Sequence, residues 1–477
     1  MFRPLRSLVF FASAVTVSYA QGAGATATAV KSPYPPIFKA ANYAVGAGPV
    51  SVVVADFNGD RRADVATANQ ASSTVSILIN NGGGTFQKHV DYATGKAPSQ
   101  VVVGDFNNDG KVDLAVANGG DSSISILLGN GDGTFRSAIN TFITAGSASS
   151  ISAYDLDGDG KLDLVVGPAD ISLLGNGDGT FQAPVAFSLK SGGSLSYVLV
   201  TPLVNLDLVG VMNDFSPFKI EELAPEGGGA WLNLSEIIPG GPFTHLGQLA
   251  GGKNQGDSYG YIVASWFGQN QVFLCLPNLD GVLGCGSNYN VGTGPIGIIL
   301  ADLTGDGRLD VVTANSGSNN ISFLRGHGDS TLGPRTNYAV GKAPQSVAVA
   351  DFDGNGRQDV AVANSGDGTV TTLLQSTASL STFALSFGRQ AVDTTSAAKT
   401  VTLLNVGVGI LHISKISVSG DFGLQSSGCG TTLASGASCK LSIVFKPGVA
   451  GNRRGAVSIG DDALGSPQTV ALSGKGI

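Results

Sequence analysis

The sequence predicts an all-β protein, a seven-bladed β-propeller followed by a smaller β-sandwich, and three observations carry that expectation. An acidic nonapeptide recurs through most of the chain at a nearly constant interval. The composition opposes helices: 69 of 477 residues are Gly, about twice the usual ~7%, and only four of the 35 acidic residues are Glu. Beyond residue 383 the pattern changes to alternation of apolar and polar side chains, as in Val401-Thr402-Leu403 and Ile410-Leu411-His412-Ile413. With 42% apolar residues, the chain can bury one large β unit and a smaller one.

Residues 1–20 read as a secretory signal. Arg3 and Arg6 precede an apolar stretch from Leu8 to Val17, and Ser18-Tyr19-Ala20 supplies a small-x-small cleavage site. Residues 21–36 are expected to form an N-terminal linker. No later apolar run approaches the ~20 residues of a membrane span, so a secreted chain without a visible anchor is expected. A net charge of −8 with no basic stripe disfavours nucleic acid as a partner.

The propeller is expected over residues 37–376. Its acidic segment begins at Asp56, Asp105, Asp155, Asp302 and Asp351, at intervals of 49, 50, 147 and 49 residues. Because 147 is three times 49, two degenerate units are expected near 204 and 253, which makes seven. Asn205-Leu206-Asp207-Leu208-Val209 keeps a strand at the first of these places, and KNQGDSYGYIVA from Lys253 aligns at the second. A second landmark, GGGTF, GDGTF, GDGTF or GGGAW, ends at Phe86, Phe135, Phe181 and Trp231. Each unit therefore carries an apolar run, the acidic loop, two further runs, a Gly turn and a fourth strand. Four-stranded units repeated radially make a propeller, and runs apolar on both faces suit its buried sheets. The last unit stops at Leu374 without a Gly turn, while the segment from Phe38 to Gly46 resembles the fourth-strand segment from Arg335 to Gly341. The N-terminal strand is thus predicted to complete the last blade and remove an exposed edge.

The acidic loops place oxygen ligands at positions one, three, five and nine, with the seventh residue free to offer its carbonyl. That alternation suits Ca²⁺, a hard cation taking six to eight oxygens. The first loop offers Asp56, Asn58, Asp60 and Asp64 with Arg62 at the seventh position, and the second offers Asp105, Asn107, Asp109 and Asp113 with Lys111. The third offers Asp155, Asp157, Asp159 and Asp163 with Lys161. In the later units the sets are Asp302, Thr304, Asp306 and Asp310 with Arg308, then Asp351, Asp353, Asn355 and Asp359 with Arg357. An EF-hand is excluded, because the twelfth position is Thr67, Val116, Val166, Thr313 or Val362 and never Glu. A sharp turn at the sixth position explains Gly110, Gly160, Gly307 and Gly356, and Arg61 departs from that rule. Carboxylates converging this closely repel one another without a cation, so about five structural calcium ions are expected. In the unit at 253 the ligand positions hold Lys253, Gln255, Asp257 and Tyr261, and the Lys253 ammonium is expected to replace the ion by pairing with Asp257.

The combination of these loops with LLGNGDGTF turns resembles the FG-GAP/VCBS repeat family, related to the propeller of integrin α-chains. The resemblance implies that calcium sits between a blade's first and second strands, that the ions are structural, and that partners bind the opposite face. That face would carry loops such as 68–74, 93–99, 118–123 and 339–345, which hold few aromatic or charged residues.

After a Ser/Thr-rich linker at 377–382, residues 383–477 form the second unit. CGTTLASGASCKLSIVFKP from Cys429 to Pro447, with VALSGKG near the end, resembles bacterial relatives of the Hydin-type immunoglobulin-like domain. The resemblance implies an immunoglobulin-like β-sandwich spacer. The four Cys fall into two equally spaced local pairs, Cys275/Cys285 and Cys429/Cys439. In an exported chain such pairs suggest two disulfides, one in each unit.

Catalytic signals are thin. Gly256-Asp257-Ser258-Tyr259-Gly260 matches a nucleophile elbow but lies in register with a degenerate acidic loop between strands. His89, His245, His327 and His412 have no partner spacing, and Gly129-Asn130-Gly131-Asp132-Gly133 lacks the Lys-Ser/Thr of a phosphate loop. Glu221, Glu222, Glu226 and Glu236 cluster around Trp231 and could supply a glycosidase pair, but a decorated loop is the better account of them. The expected function is an extracellular binding or adhesion module, not an enzyme, probing a protein or glycan as a monomer. The alternatives are a polysaccharide-acting enzyme using residues 183–290 and a passive spacer.

Overall fold

The computed structural model describes residues 31–143, 146–186, 197–201, 207–212, 219–227, 230–237, 246–252, 261–277, 283–329, 331–407 and 409–477. The signal-like segment therefore lies outside the described residues. Among those residues the single helical element is the 3₁₀ turn Phe267–Gln269, and no helix is long and apolar enough to cross a membrane.

Val-rich runs bounded by Gly and Asp become strands paired in antiparallel hairpins. The first sheet consists of Pro49–Ala55, Asp64–Asn69, Thr74–Leu78 and Val90–Ala93 in chain order. Among the described residues seven such four-stranded sheets occur, the later ones opening with Pro98–Gly104, Ala148–Tyr154, Tyr197–Thr201, Leu246–Gly252, Pro295–Ala301 and Pro344–Ala350. Each opening strand packs against the opening strand of the next sheet, and Pro344–Ala350 packs back on Pro49–Ala55. That cyclic order is a β-propeller.

The last sheet is completed by the chain's own beginning. Phe38–Ala44 pairs antiparallel with Thr369–Gln375, from Phe38 opposite Gln375 to Ala44 opposite Thr369. Second strands such as Asp113–Asn118 are buried at every position, whereas fourth strands such as Ile139–Phe142 are largely exposed. The core consequently lies between sheets: Val53, Ala55 and Phe57 of the first interleave with Val101, Val103 and Leu114 of the second. Apolar residues on both faces of the inner strands are what this stacking requires.

The C-terminal unit is two sheets around one core. One contains Ala378–Leu380, Lys399–Asn405, Ser438–Phe445 and Phe422–Ser427; the other contains Ala384–Gln390, Gln468–Gly476, Gly451–Asp461, Leu411–Val418 and Thr432–Leu433. The expected linkers differ in part, and residues 21–30 of the first lie outside the described residues. Ala378–Leu380 pairs with Lys399–Asn405, because Ala378 and Leu380 are apolar and bury in that core. Upstream, Ser32 is buried: its N–H donates to the Thr304 carbonyl at 3.0 Å, and its hydroxyl lies 3.0 Å from that of Ser379. Ile37 packs on the C-terminal core and Leu464 on the core between the first and last sheets, so the two units share apolar surface.

Candidate metal centres

Each acidic loop is closed by its first and ninth carboxylates. Oδ2 of Asp56, Asp105, Asp155, Asp302 and Asp351 accepts the N–H of the sixth residue at 2.7–2.9 Å. Oδ1 of each accepts the N–H of the fifth residue at 3.0–3.1 Å. These bonds demand a left-handed sixth residue. Gly110, Gly160, Gly307 and Gly356 supply it, and Arg61 adopts the same conformation at φ 67°, so its departure from glycine leaves the turn intact.

The ninth residues, Asp64, Asp113, Asp163, Asp310 and Asp359, are buried. One oxygen of each accepts the N–H of the loop's second residue at 2.7–3.0 Å, and the other accepts an N–H from the end of the third strand at 2.6–2.9 Å. Burial pushes Asp64, Asp113 and Asp163 up to about 6 and Asp310 and Asp359 up to about 8, against the pull of those N–H donors. The charges of the other loop carboxylates push in the same direction as burial. A carboxylate oxygen that accepts one N–H keeps a lone pair for a cation.

Two loops bring three carboxylates together. Asp155, Asp157 and Asp159 present oxygens within 4.8 Å of one another, as do Asp351, Asp353 and Asp359. Burial and the Asp351 charge raise Asp353 to about 6. This oxygen-only donor set fits a hard divalent cation, which would relieve that repulsion. The first two loops replace the third-position carboxylate with Asn58 and Asn107, and in the first three loops the fifth-position carboxylate pairs with the seventh-position cation: Arg62 with Asp60 at 2.5 Å, Lys111 with Asp109 at 3.3 Å, Lys161 with Asp159 at 2.7 Å. The loop at 302–310 differs more. Thr304 offers a hydroxyl, Arg308 is exposed, and the Arg325 guanidinium donates to Asp306 at 2.8 Å.

A contact between the two repeat landmarks was missed in the sequence. In three of the turns the last Gly donates its N–H to the carbonyl of the second residue in the preceding sheet's loop: Gly133 to Phe57 at 2.9 Å, Gly179 to Phe106 at 3.0 Å and Gly84 to Phe352 at 3.1 Å. Above each bond the turn's Phe packs edge-on against that second-position Phe, with centroids 5.5 Å apart for Phe57–Phe135 and Phe86–Phe352 and 6.3 Å for Phe106–Phe181. The signal was present, since DF and GTF recur in register. The last sheet has no such turn. There the Leu303 carbonyl accepts from the side chains of Arg357 and Gln375, each at 3.0 Å, and Arg357 is buried beneath the loop.

The face away from the acidic loops carries a second repeated tie. Asn69, Asn118, Asn315 and Asn364 end their second strands and donate to Ser76, Ser125, Ser322 and Thr371 at 2.8–2.9 Å. Those hydroxyls accept the N–H of Gly46, Gly95, Gly292 and Gly341 from the segment entering each sheet. A Cβ at these glycines would lie 2.4–2.6 Å from the network's side-chain atoms. The recurring Ala-Asn after the second run was its sequence signal.

Cys429 and Cys439 are bonded, with Cα atoms 5.0 Å apart. Cys275 is disulfide-bonded and stands opposite Cys285 in register. The expected Lys253–Asp257 pair, Gln255, Ser258 and His245 lie outside the described residues. His89 lies beside Asp91, His327 beside Thr331 and His412 beside Asp462, so these three do not converge. Gly129 bridges Phe135, making the Gly-rich segment a hairpin turn, and Glu221 is the register partner of Glu236.

The cyclic order of four-stranded sheets, with acidic loops between first and second strands, defines a repeat-built β-propeller. Residues 56–116, 105–166 and 261–362 match the FG-GAP-like repeat family, so the chain carries FG-GAP-like repeats. No curated protein sequence matches the chain. Among solved structures it is similar to BBS1N crystallised with ARL6DN and soaked with lead, at 12% identity and a TM-score of 0.48, covering 73% of this chain and 97% of that one. It is also similar to the periplasmic gluconolactonase PpgL of Pseudomonas aeruginosa, at 17% identity and 0.47, covering 62% and 86%. A protein from Lactobacillus plantarum is similar at 14% identity and 0.46, with the same coverage.

Proposed function

We propose that the chain is a secreted, calcium-stabilised propeller that serves as an extracellular binding or adhesion module for a protein or carbohydrate, with the C-terminal unit as an immunoglobulin-like spacer. The observation that carries the calcium reading is the convergence of Asp155, Asp157 and Asp159, and of Asp351, Asp353 and Asp359, to within 4.8 Å. In such loops the ion is held by the first, third, fifth and ninth residues, and its chemistry is charge neutralisation. Each site of ~0.1 mM affinity in ~1 mM calcium would add roughly 1.4 kcal/mol of stability. Secretion is supported by the signal-like start of the sequence, and the binding role by the FG-GAP-like repeats.

The test is a calcium titration followed by calorimetry and by thermal unfolding, with a glycan and matrix-protein array run in calcium and in chelator. Heat of binding, a melting temperature that climbs with calcium, and calcium-dependent capture of one ligand class are expected. Melting indifferent to calcium would overturn the metal reading, and an array silent under both conditions would overturn the binding role.

A further inference from the structure

We propose that a cleft between the fifth and sixth sheets binds an acidic saccharide through fixed amide donors and one arginine. The proposal rests on the binding-module reading above and names its ligand class and place. The cleft has a volume of about 790 Å³ and lies beside the strand Leu283–Asn290. That size falls within the ~300–1,000 Å³ of small-molecule sites. Its lining includes no Asp or Glu, although the chain has 35 acidic residues.

Four of its carboxamides are oriented by bonds to their oxygens. Asn270 Oδ1 accepts the Gly294 N–H and Asn290 Oδ1 accepts Gln271 Nε2, both at 2.9 Å. Asn320 Oδ1 accepts Asn315 Nδ2 at 2.8 Å and Ser318 Oγ at 3.0 Å, and Asn337 Oδ1 accepts Ser322 Oγ at 2.9 Å. Those bonds fix the plane of each amide, so its NH₂ group is held in place as a donor for a ligand. Arg335 is exposed and gives Nη1 to the Val291 carbonyl, leaving the rest of its guanidinium for an anion. Tyr289, half-buried against the local core, contributes the cleft's one aromatic ring.

A surface of preset donors with one cation calls for a ligand made mostly of neutral acceptors with a single negative charge. A uronic acid residue within a glycan has that ratio: several ring and hydroxyl oxygens to one carboxylate, and a C–H face for the tyrosine ring. A phosphorylated ligand would call for a cluster of cations instead. The combination is particular to this seam. In the first sheet Asp91 stands where Asn337 stands here, and in the second sheet Asn140 does, with Ala138 in the place of Arg335.

The test is titration calorimetry on the full chain at fixed calcium, with a tetrasaccharide of alternating glucuronic acid and N-acetylglucosamine as probe and neutral chitotetraose as control. Binding of the acidic probe about tenfold tighter than the neutral one is expected, with that preference lost in Arg335→Gln at an unchanged melting temperature. Replacing Asn290 and Asn337 together with Ala is expected to weaken both sugars about tenfold. Acidic-probe binding that survives Arg335→Gln, or that is absent from the wild type, would overturn the proposal. If the array nevertheless captures another ligand, the binding-module reading stands and only the cleft fails. If it captures none, both fail.

Discussion

Two seams of the ring solve one problem with different chemistry. Where the first and second sheets meet, the Phe57 carbonyl is met by the Gly133 main chain under a pair of phenylalanines. Where the sixth and seventh meet, the Leu303 carbonyl is met by Arg357 and Gln375 side chains, because the closing strand has displaced the Gly turn. Arg357 is released for that task by its own loop. Its fifth position is Asn355, whereas Arg62, Lys111 and Lys161 pair with fifth-position aspartates at the surface. A repeat motif is thus lost without loss of contact when a long side chain can reach the same atom.

The largest expected effect breaks the comparison at its origin. Deleting residues 38–44 strips the last sheet of its fourth strand and should lower the melting temperature by roughly 10 °C or more, read by calorimetry. An unchanged transition would mean that the ring does not depend on this strand.

The pH response of the calcium-free protein separates the seams next. The ninth-position aspartates have folded pKa values raised above the unfolded 3.8, so their contribution to stability is fully present below that value and is lost as pH rises through the folded one. For Asp64, Asp113 and Asp163 the loss runs to about 6, and for Asp310 and Asp359 at the closing seam to about 8. Melting of the calcium-free chain should therefore be lower at pH 8.5 than at pH 5, and saturating calcium should remove most of the difference. A higher melting temperature at pH 8.5 would contradict this burial.

Among side chains, Arg357→Ala should cost about 3 kcal/mol in urea unfolding, because it strips a buried carbonyl and the nearby Asp302 and Asp310 of a guanidinium. Arg62 is itself exposed, so Arg62→Ala should cost no more than ~1 kcal/mol. Equal costs would erase the distinction. Gly133→Ala should cost about 1–2 kcal/mol, since φ there is 84° and the new Cβ would lie 2.7 Å from Ile79 Cδ1. The smallest effect has the opposite sign. Ala97 and Ala343 hold φ near 49° and 48° at places where Gly48 and Gly294 stand in other sheets. Ala97→Gly and Ala343→Gly should each stabilise by up to about 1 kcal/mol.

What was legible in the sequence was whatever repeats. The 49-residue interval located the sheets, and the likeness of the segment at Phe38 to that at Arg335 located the closing strand. The loop carboxylates were legible as a set, yet their double duty as acceptors for backbone N–H was not, because those donors come from the loop and from the third strand at once. Arg357 looked like its counterparts Arg62 and Lys161, but Asn355 in its own loop and the missing turn beside it together turn its side chain inward. Ala378–Leu380 looked like linker because three residues are too few for a period to declare itself.

The closing strand also sets a timetable. Asn42 and Thr371 share a hydrogen bond across 329 residues of chain. At the ~5–20 residues per second of synthesis, the first strand waits roughly 16–66 s before its partner exists. Until then each of the other sheets can assemble from neighbours in sequence, while the strand at residues 38–44 remains an unpaired edge-former. Closure is therefore the last and least local step of folding.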